Sequence, residues 1–81
     1  MVYVYILESA KNGAYYIGQS KNIENRLKYH NSGYSNYTMK GIPWLMKWYC
    51  QKQNRSEAVM LERKLKNLSK VRLKNFISKY S

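Results

Sequence analysis

Five side chains in this sequence have the types that could together cleave a phosphodiester bond with the help of a metal ion. Two are Tyr5 and Tyr16, which lie eleven residues apart, and the second opens the run Tyr-Ile-Gly. Arg26 and His30 are four positions apart, which places them on one face if this segment is a helix. Glu62 is one of only four carboxylates in a chain with fifteen lysines and arginines.

Glu62 has both a structural and a chemical explanation. On a helix it would pair with Lys66 one turn later, which is worth about 0.3 kcal/mol, and from this segment alone that explanation is favoured. The chemical alternative is a ligand to Mg²⁺, which is often held by one or two carboxylates with waters and substrate phosphates. Glu24 and Glu57 suit helix N-termini, Glu8 ends a strand, and the chain has no aspartate. Metal chemistry here must therefore use one ion and one protein ligand.

The other candidates also have structural alternatives. Arg26 could be an ordinary solvated charge, or it could hold a phosphate oxygen with its guanidinium fork. His30 at the border of an apolar stripe is typical of a packed histidine, although in a cleft it could orient a tyrosine or transfer a proton. A tyrosine has a pKa near ~10, so it acts as a base only if cations or a metal lower that value.

The first two strands are predicted to form a hairpin with both candidate tyrosines on one face. Residues 2–7 are consecutively apolar or aromatic, which indicates a central strand buried on both faces. The pair Asn-Gly at 12–13 favours a turn, and residues 14–17 are predicted as the second strand. In an antiparallel pair without a bulge, any odd sum of opposed residue numbers puts Tyr5 and Tyr16 on the same face.

A helix, a third strand and two further helices are predicted to complete the chain. They span residues 22–32, 44–50, 56–68 and 69–80. Asn22, Ser56 and Ser69 are the predicted N-caps, and Gly33 provides a left-handed turn after the first helix. The order β-β-α-β-α-α predicts a single α+β domain, residues 1–81, in which helices flank a three-stranded antiparallel sheet.

Composition points to an anionic partner. The 81 residues can build one core, and their formal net charge is +11. Nucleic acid is the first candidate partner because each neutralised phosphate releases counterions, and an anionic membrane surface is the second. We expect no membrane span, because no apolar run is long enough, and no signal peptide. Cys50 is the only cysteine and is expected to be a small buried residue, so a reducing, cytoplasmic location fits.

The ordered set of motifs resembles the GIY-YIG endonuclease superfamily, in its small stand-alone branch. The run Tyr-Val-Tyr at 3–5 is similar to the first motif and keeps only its final tyrosine, whereas Tyr-Ile-Gly at 16–18 matches the second without change. Residues 18–27 together with His30 resemble the arginine helix of the family, and residues 56–66 resemble its metal-glutamate helix. The similarity covers nearly the whole chain.

This resemblance implies a metal-dependent DNA endonuclease in which each matched residue has a role. Tyr5 would activate or position the attacking water, and Tyr16 would contact the phosphate or the water network. Arg26 would stabilise the pentavalent phosphate, while His30 would hydrogen-bond Tyr5 and assist its deprotonation. Glu62 would hold the one divalent ion, Mg²⁺ or Mn²⁺, that offsets charge on the leaving oxygen.

The DNA backbone is expected to be held mainly by the second half of the chain. Ten of the fifteen lysines and arginines lie there, from Lys47 to Lys79. The predicted nucleic-acid contacts are Gly18, Lys21, Lys40, Arg63, Lys66 and Lys70. Gly18 is included because a residue without a side chain lets backbone pass close to the cleft.

Two alternatives to a self-sufficient nuclease remain open. The same fold could be a non-catalytic nucleic-acid-binding module, or a nuclease subunit that depends on a partner protein for targeting. The complete set of five candidate residues favours an enzyme, because a binding module has no need of an acid that faces phosphates. A preference for branched DNA would point to repair or recombination.

Overall fold

A central strand that is buried on both faces organises the fold. In the computed structural model, which describes residues 1–80, β1 (Val2–Ser9) lies between β2 (Tyr15–Ser20) and β3 (Trp44–Lys52). Both pairings are antiparallel. The uninterrupted apolar run of β1 has this position because only a strand covered on both sides can bury successive side chains.

Three helices occur at the predicted places in the chain. They are α1 (Ile23–Asn31), α2 (Arg55–Lys66) and α3 (Lys70–Tyr80), and a short 3-10 helix (Met39–Gly41) precedes β3. The predicted α+β class and the order β-β-α-β-α-α are therefore confirmed. None of these helices, within residues 1–80, has the length and apolar character needed to cross a membrane.

The N-termini of the helices show which of the predicted caps are correct. The side chain of Asn22 accepts the backbone N–H of Asn25 and caps α1, and the backbone N–H of Arg72 bonds to Ser69 at the start of α3. The prediction of Ser56 as the cap of α2 is wrong. Asn54 takes this place, because its extended backbone lets its side chain accept the N–H of Glu57.

The register of the hairpin confirms the predicted parity. Tyr5 lies opposite Gly18, and Leu7 lies opposite Tyr16, so the sum of paired numbers is 23. Tyr5 and Tyr16 consequently point to the same side of the sheet. The second strand begins and ends later than predicted and continues to Ser20, which keeps it paired along β1 as far as Tyr3.

The two sides of the sheet bury different kinds of side chain. One side, here called the aliphatic face, packs against α2 and α3; its buried residues are Val2, Val4, Ile6, Ile17, Ala58, Leu65, Leu73 and Ile77. The other, here called the tyrosine face, packs against α1; its buried apolar residues are Tyr5, Leu7 and Trp44, with Ile23 and Leu27 of α1 packed beside them.

Two side chains are less buried than their sequence patterns predict. Tyr80 is 57% exposed and rests on Phe76 at the end of α3, so the inner face of that helix ends earlier than expected. Cys50 is only half-buried, because it belongs to β3, an edge strand.

Candidate functional site

A buried hydrogen-bonded relay begins at Tyr5. The Tyr5 Oη atom lies 3.1 Å from His30 Nε2, and His30 Nδ1 lies 3.0 Å from Thr38 Oγ1. Trp44 Nε1 donates to the backbone carbonyl of Thr38 at 2.7 Å, which fixes the loop that carries the threonine. Tyr5, His30 and Thr38 are each no more than 2% exposed. Hydrogen bonds of the relay and its support therefore connect β1, α1, the following loop and β3.

Burial keeps both members of the Tyr5–His30 pair neutral. It is the main cause that raises the pKa of Tyr5 far above its ordinary value; the nearby Tyr16 and Glu62 act in the same direction, while Arg26 opposes them. Burial also lowers the pKa of His30, and the positive charge of Arg26 adds to this effect. A neutral His30 that donates from Nδ1 to Thr38 leaves Nε2 free to accept the Tyr5 hydroxyl.

Tyr16 lies beside this relay. Its ring centroid is 4.7 Å from that of His30 and 6.3 Å from that of Tyr5. On its outer side it meets the edge of Tyr37 at 5.9 Å, and Tyr37 is 86% exposed. Tyr16 thus connects the buried relay with the protein surface.

Gly18 makes room for the Tyr5 ring. A Cβ atom at this position would lie 2.7 Å from Tyr5 Oη, 2.9 Å from Tyr5 Cζ and 3.2 Å from the Tyr16 ring. The glycine is buried, so its bare backbone faces the two tyrosines. The close approach predicted at Gly18 is therefore an approach by Tyr5, and no open surface is left there for a nucleic-acid contact.

Arg26 lies on the exposed side of α1. Its guanidinium carbon is 5.3 Å from the centroid of the Tyr29 ring. Its charge nevertheless reaches the relay, since it lowers the pKa of both Tyr5 and His30. This position leaves the guanidinium accessible to a phosphate that approaches the tyrosine face.

Glu62 comes to the site from a different direction. Helix α2 packs on the aliphatic face, so Glu62 reaches the edge of β2 and does not lie on the tyrosine face itself. There its Oε1 accepts from Gln19 Nε2 at 3.0 Å, and its Oε2 pairs with Lys66 at 2.8 Å. Gln19 Oε1 in turn accepts from Arg55 at 2.9 Å. The amide of Gln19 therefore fixes the carboxylate against the edge strand.

The structure thus groups the five predicted residues in two parts. Tyr5, Tyr16 and His30 are in contact, and Arg26 is close enough to act on them. Glu62 lies at the rim, close enough to raise the pKa of Tyr5, although within residues 1–80 no hydrogen bond joins it to the other four. The arrangement is a buried neutral acid–base pair, with one cation on the exposed side of α1 and one carboxylate at the edge of β2.

The donor set around Glu62 is compatible with one divalent ion of the Mg²⁺ type. Residues 1–80 contain no group of three or more acidic, histidine or cysteine side chains that could hold a metal alone. A carboxylate has about four acceptor sites, and the bonds to Gln19 and Lys66 use two of them. Glu62 could therefore supply one oxygen ligand, with waters and a substrate phosphate completing the shell.

The predicted cationic contacts are distributed over several surfaces. Lys21 lines a groove beside α1, and Lys66 lies beside Glu62 at the end of a second groove that Tyr16 and Tyr37 also line. Lys70 lies over the hairpin turn, with Nζ 3.5 Å from the position of a Cβ on Gly13. Lys40 and Arg63 are exposed on the 3-10 helix and on α2.

Three residues that complete the site carried no signal specific enough for sequence reasoning to assign them a role. Gln19 positions Glu62, Arg55 holds Gln19, and Thr38 orients His30. A glutamine directly after the Tyr-Ile-Gly run and an arginine at the start of a helix are common surface residues. The role of Gln19 in positioning Glu62 depends on a hydrogen bond between residues 43 positions apart in the sequence.

Comparison with known proteins shows the family to which this fold belongs. Residues 1–75 match the family model of the GIY-YIG catalytic domain. A UPF0213 protein of Vibrio campbellii is 33% identical over 70 residues, which cover 85% of this chain and 66% of that relative. The chain thus spans slightly less than two thirds of the length of this relative.

A solved structure of similar fold has a similar level of identity. The solution NMR structure of a UPF0213 protein from Bacillus halodurans superposes with a TM-score of 0.64 at 30% identity, covering 99% of this chain and 86% of that one. GIY-YIG domains are generally nucleases that act on nucleic acid with divalent metals. With its sheet order, its Tyr-Ile-Gly strand and the family model matched over residues 1–75, the chain belongs to the GIY-YIG catalytic domain family.

Proposed function

We propose that this protein is a metal-dependent DNA endonuclease that hydrolyses phosphodiester bonds with water positioned by Tyr5. The observation that supports this most strongly is the buried hydrogen bond between Tyr5 Oη and His30 Nε2. A core needs neither a neutral histidine nor a tyrosine hydroxyl at this place, since Phe and Leu would fill the same volume without polar groups to satisfy. Together the two groups form an acid–base pair of the kind that moves a proton during hydrolysis.

In this proposal the relay carries the proton that water loses. The water oxygen forms a bond to phosphorus while the bond to the leaving oxygen breaks. The water proton passes to Tyr5 Oη as the Tyr5 proton passes to His30 Nε2, and Thr38 keeps the imidazole in position. Because Tyr5 is buried and its pKa is raised, its hydroxyl gives up a proton only when a proton arrives from water in the same step.

Two groups are assigned to the charge that develops on the phosphate. Arg26, which is exposed on α1, would donate to a non-bridging oxygen. Glu62 would hold a divalent ion, which when bound offsets negative charge on the leaving oxygen. Gln19 keeps the Glu62 carboxylate at the edge of β2, and Lys66 neutralises it when no ion is bound.

A non-catalytic nucleic-acid-binding module is the second candidate function. The ion pair between Glu62 and Lys66 favours it, because the carboxylate already has a cation at 2.8 Å. A strong pair at this place would compete with a metal ion for the same oxygen atoms.

Nicking of a supercoiled plasmid tests the proposed function. Protein purified in chelator is mixed with plasmid and with Mg²⁺, Mn²⁺ or excess chelator, and the open circular product is followed with time. The proposal expects nicking with either metal and none with chelator. Retention of the plasmid in a gel-shift assay without nicking at any metal concentration would contradict the nuclease and support the binding module.

A further inference from the structure

We propose that a groove beside the candidate site binds an unpaired nucleic-acid strand, with bases stacked on Tyr29 and Tyr34 and with phosphates held by Lys21, Arg26 and Arg55. This inference rests on the proposed function, since it names the class of substrate that the same site would receive. It adds that the cleaved bond lies next to unpaired nucleotides.

The groove is open and positively charged. It has a volume of about 560 Å³ and lies where the end of β2, the start of α1 and the start of α2 meet. Three of its lining side chains are cations, Lys21, Arg26 and Arg55, and none of the described residues that line it is acidic. Such a surface attracts a phosphate backbone more strongly than it attracts a neutral or cationic ligand.

One side of this groove is aromatic. Tyr29 lines it, and the ring of Tyr34 stacks on that of Tyr29 with centroids 6.3 Å apart and planes 21° from parallel. Tyr29 is 40% exposed and Tyr34 is 81% exposed, so neither ring contributes much to a core. Arg26 lies over the Tyr29 ring at 5.3 Å, which joins the aromatic surface to the cationic one.

This combination favours an unpaired strand over a duplex. A cationic groove that follows the backbone, with aromatic rings on which bases stack, is the usual design of single-strand binding sites. Bases inside a duplex are already stacked on one another and offer no free ring face, so a duplex could use only the phosphate contacts. Exposed tyrosine rings therefore gain binding energy mainly from nucleotides outside a helix.

The location places this strand beside the proposed chemistry. Tyr29 precedes His30 in α1, and their ring centroids are 5.6 Å apart. A base stacked on the Tyr29–Tyr34 pair would thus lie next to the Tyr5–His30 relay, and its phosphate would lie near Arg26. The substrate that fits is a single strand, or a junction between a duplex and a single strand.

Direct binding in the presence of chelator tests this inference without any need for cleavage. Fluorescently labelled twelve-nucleotide single-stranded DNA, the same sequence as RNA, and a hairpin duplex of the same length are titrated with protein by anisotropy. Wild-type protein is expected to bind at least one of the single strands more tightly than the duplex. The variants are Y34L and the double variant Y29L/Y34L, and the matched control is Y49L on β3, where the ring is 56% exposed and outside the groove.

The expected result is a selective loss of single-strand affinity. Stacking is worth about 1–3 kcal/mol per base, so the double variant should lose at least about fivefold in affinity for the single strand. Its affinity for the duplex, and the affinities of Y49L, should stay within about twofold of wild type. The DNA and RNA arms then show which sugar the groove prefers.

Two results would overturn the inference. One is an equal loss of affinity for single strand and duplex, which would mean that the tyrosines act on the backbone or on folding. The other is a double variant that binds single strands as well as Y49L does. Circular dichroism of both variants separates a folding defect from a binding defect, and Y34L alone serves if the double variant is unfolded. Because no metal is present, a failure of cleavage would leave this test unaffected.

Discussion

The two faces of the sheet are made by alternate residues of the same strands, yet their physical chemistry differs. On the aliphatic face, Val4 and Ile6 belong to a cluster whose buried residues are all aliphatic. On the tyrosine face, Tyr5 between them carries a hydroxyl into an equally buried position, where it meets His30. One face can therefore be explained by burial alone, whereas the other needs a separate reason for its polar groups.

The buried polar groups of the tyrosine face satisfy one another by hydrogen bonding, and the same groups are suited to proton transfer. Burying a polar group without a hydrogen-bond partner costs about 1–3 kcal/mol. Within residues 1–80, every buried side-chain nitrogen and oxygen atom has such a partner. The tyrosine face is thus organised so that the relay costs little stability. If this division holds, a substitution on the aliphatic face should mainly change stability, and one on the tyrosine face should mainly change activity.

The replacement of Tyr5 by phenylalanine should have the largest effect, and it should fall on activity. A group that transfers a proton contributes about 10²–10⁴-fold to rate, whereas leaving His30 Nε2 buried without its partner should cost only about 1–3 kcal/mol of stability. Single-turnover nicking and urea unfolding measure the two quantities. A Y5F variant that cleaves at the wild-type rate would show that the tyrosine face is structural as well.

The replacement of Ile6 by alanine should give the opposite outcome. Ile6 is fully buried on the aliphatic face, so its truncation should lower the free energy of unfolding by about 2–5 kcal/mol. The milder I6V variant should cost about 0.5–1.5 kcal/mol and cleave at the wild-type rate while folded. A marked loss of activity in folded I6V would show that the aliphatic face also contributes to activity.

The replacement of Gly18 by alanine probes the contact between strands on the tyrosine face. The new Cβ would lie 2.7 Å from Tyr5 Oη and 2.9 Å from Tyr5 Cζ, so the ring must shift, and its hydrogen bond to His30 would be disturbed. Overpacking of this kind costs about 1–3 kcal/mol, and activity should fall with the lost relay. Fluorescence-detected unfolding together with nicking tests this, and an unaffected G18A variant would mean that Tyr5 has space to shift without loss of function.

The stability of the protein should also depend weakly on pH in a direction set by His30. The folded state lowers the pKa of His30 below its ordinary value near ~6.5, through burial and then Arg26. Between these two pKa values the unfolded chain binds more protons, so the free energy of unfolding falls as pH decreases below about 6.5. His30 is the only histidine, so urea unfolding at pH 7.5 and 5.5 should show this loss in wild type and not in H30Q. Equal slopes in both proteins would contradict a buried neutral His30.

The sequence was informative where local rules decide the structure. The apolar run of β1, the parity of Tyr5 and Tyr16, and the capping by Asn22 depend on neighbours or on simple alternation, and all three are confirmed. The direction from which Glu62 approaches could not be predicted. It depends on which face of the sheet α2 covers, and helical spacing alone does not decide this.

Two contacts of the site had no signature in the sequence. Gln19 meets Glu62, and Thr38 meets His30, through single side-chain hydrogen bonds that only the packed structure brings about. Ser and Asn both cap helices well, so residue type alone does not show that Asn54 caps α2 instead of the predicted Ser56; the backbone of the loop before α2 decides this.

The E62Q variant tests whether the tyrosine face and the Glu62 carboxylate together cleave DNA. The change is nearly isosteric and removes one negative charge beside the phosphate. Metal-dependent nicking should fall by about 10²-fold or more, as for loss of one electrostatic group in an active site. DNA affinity in chelator should be unchanged or slightly higher. Wild-type nicking rates from folded E62Q would show that Glu62 takes no part in cleavage.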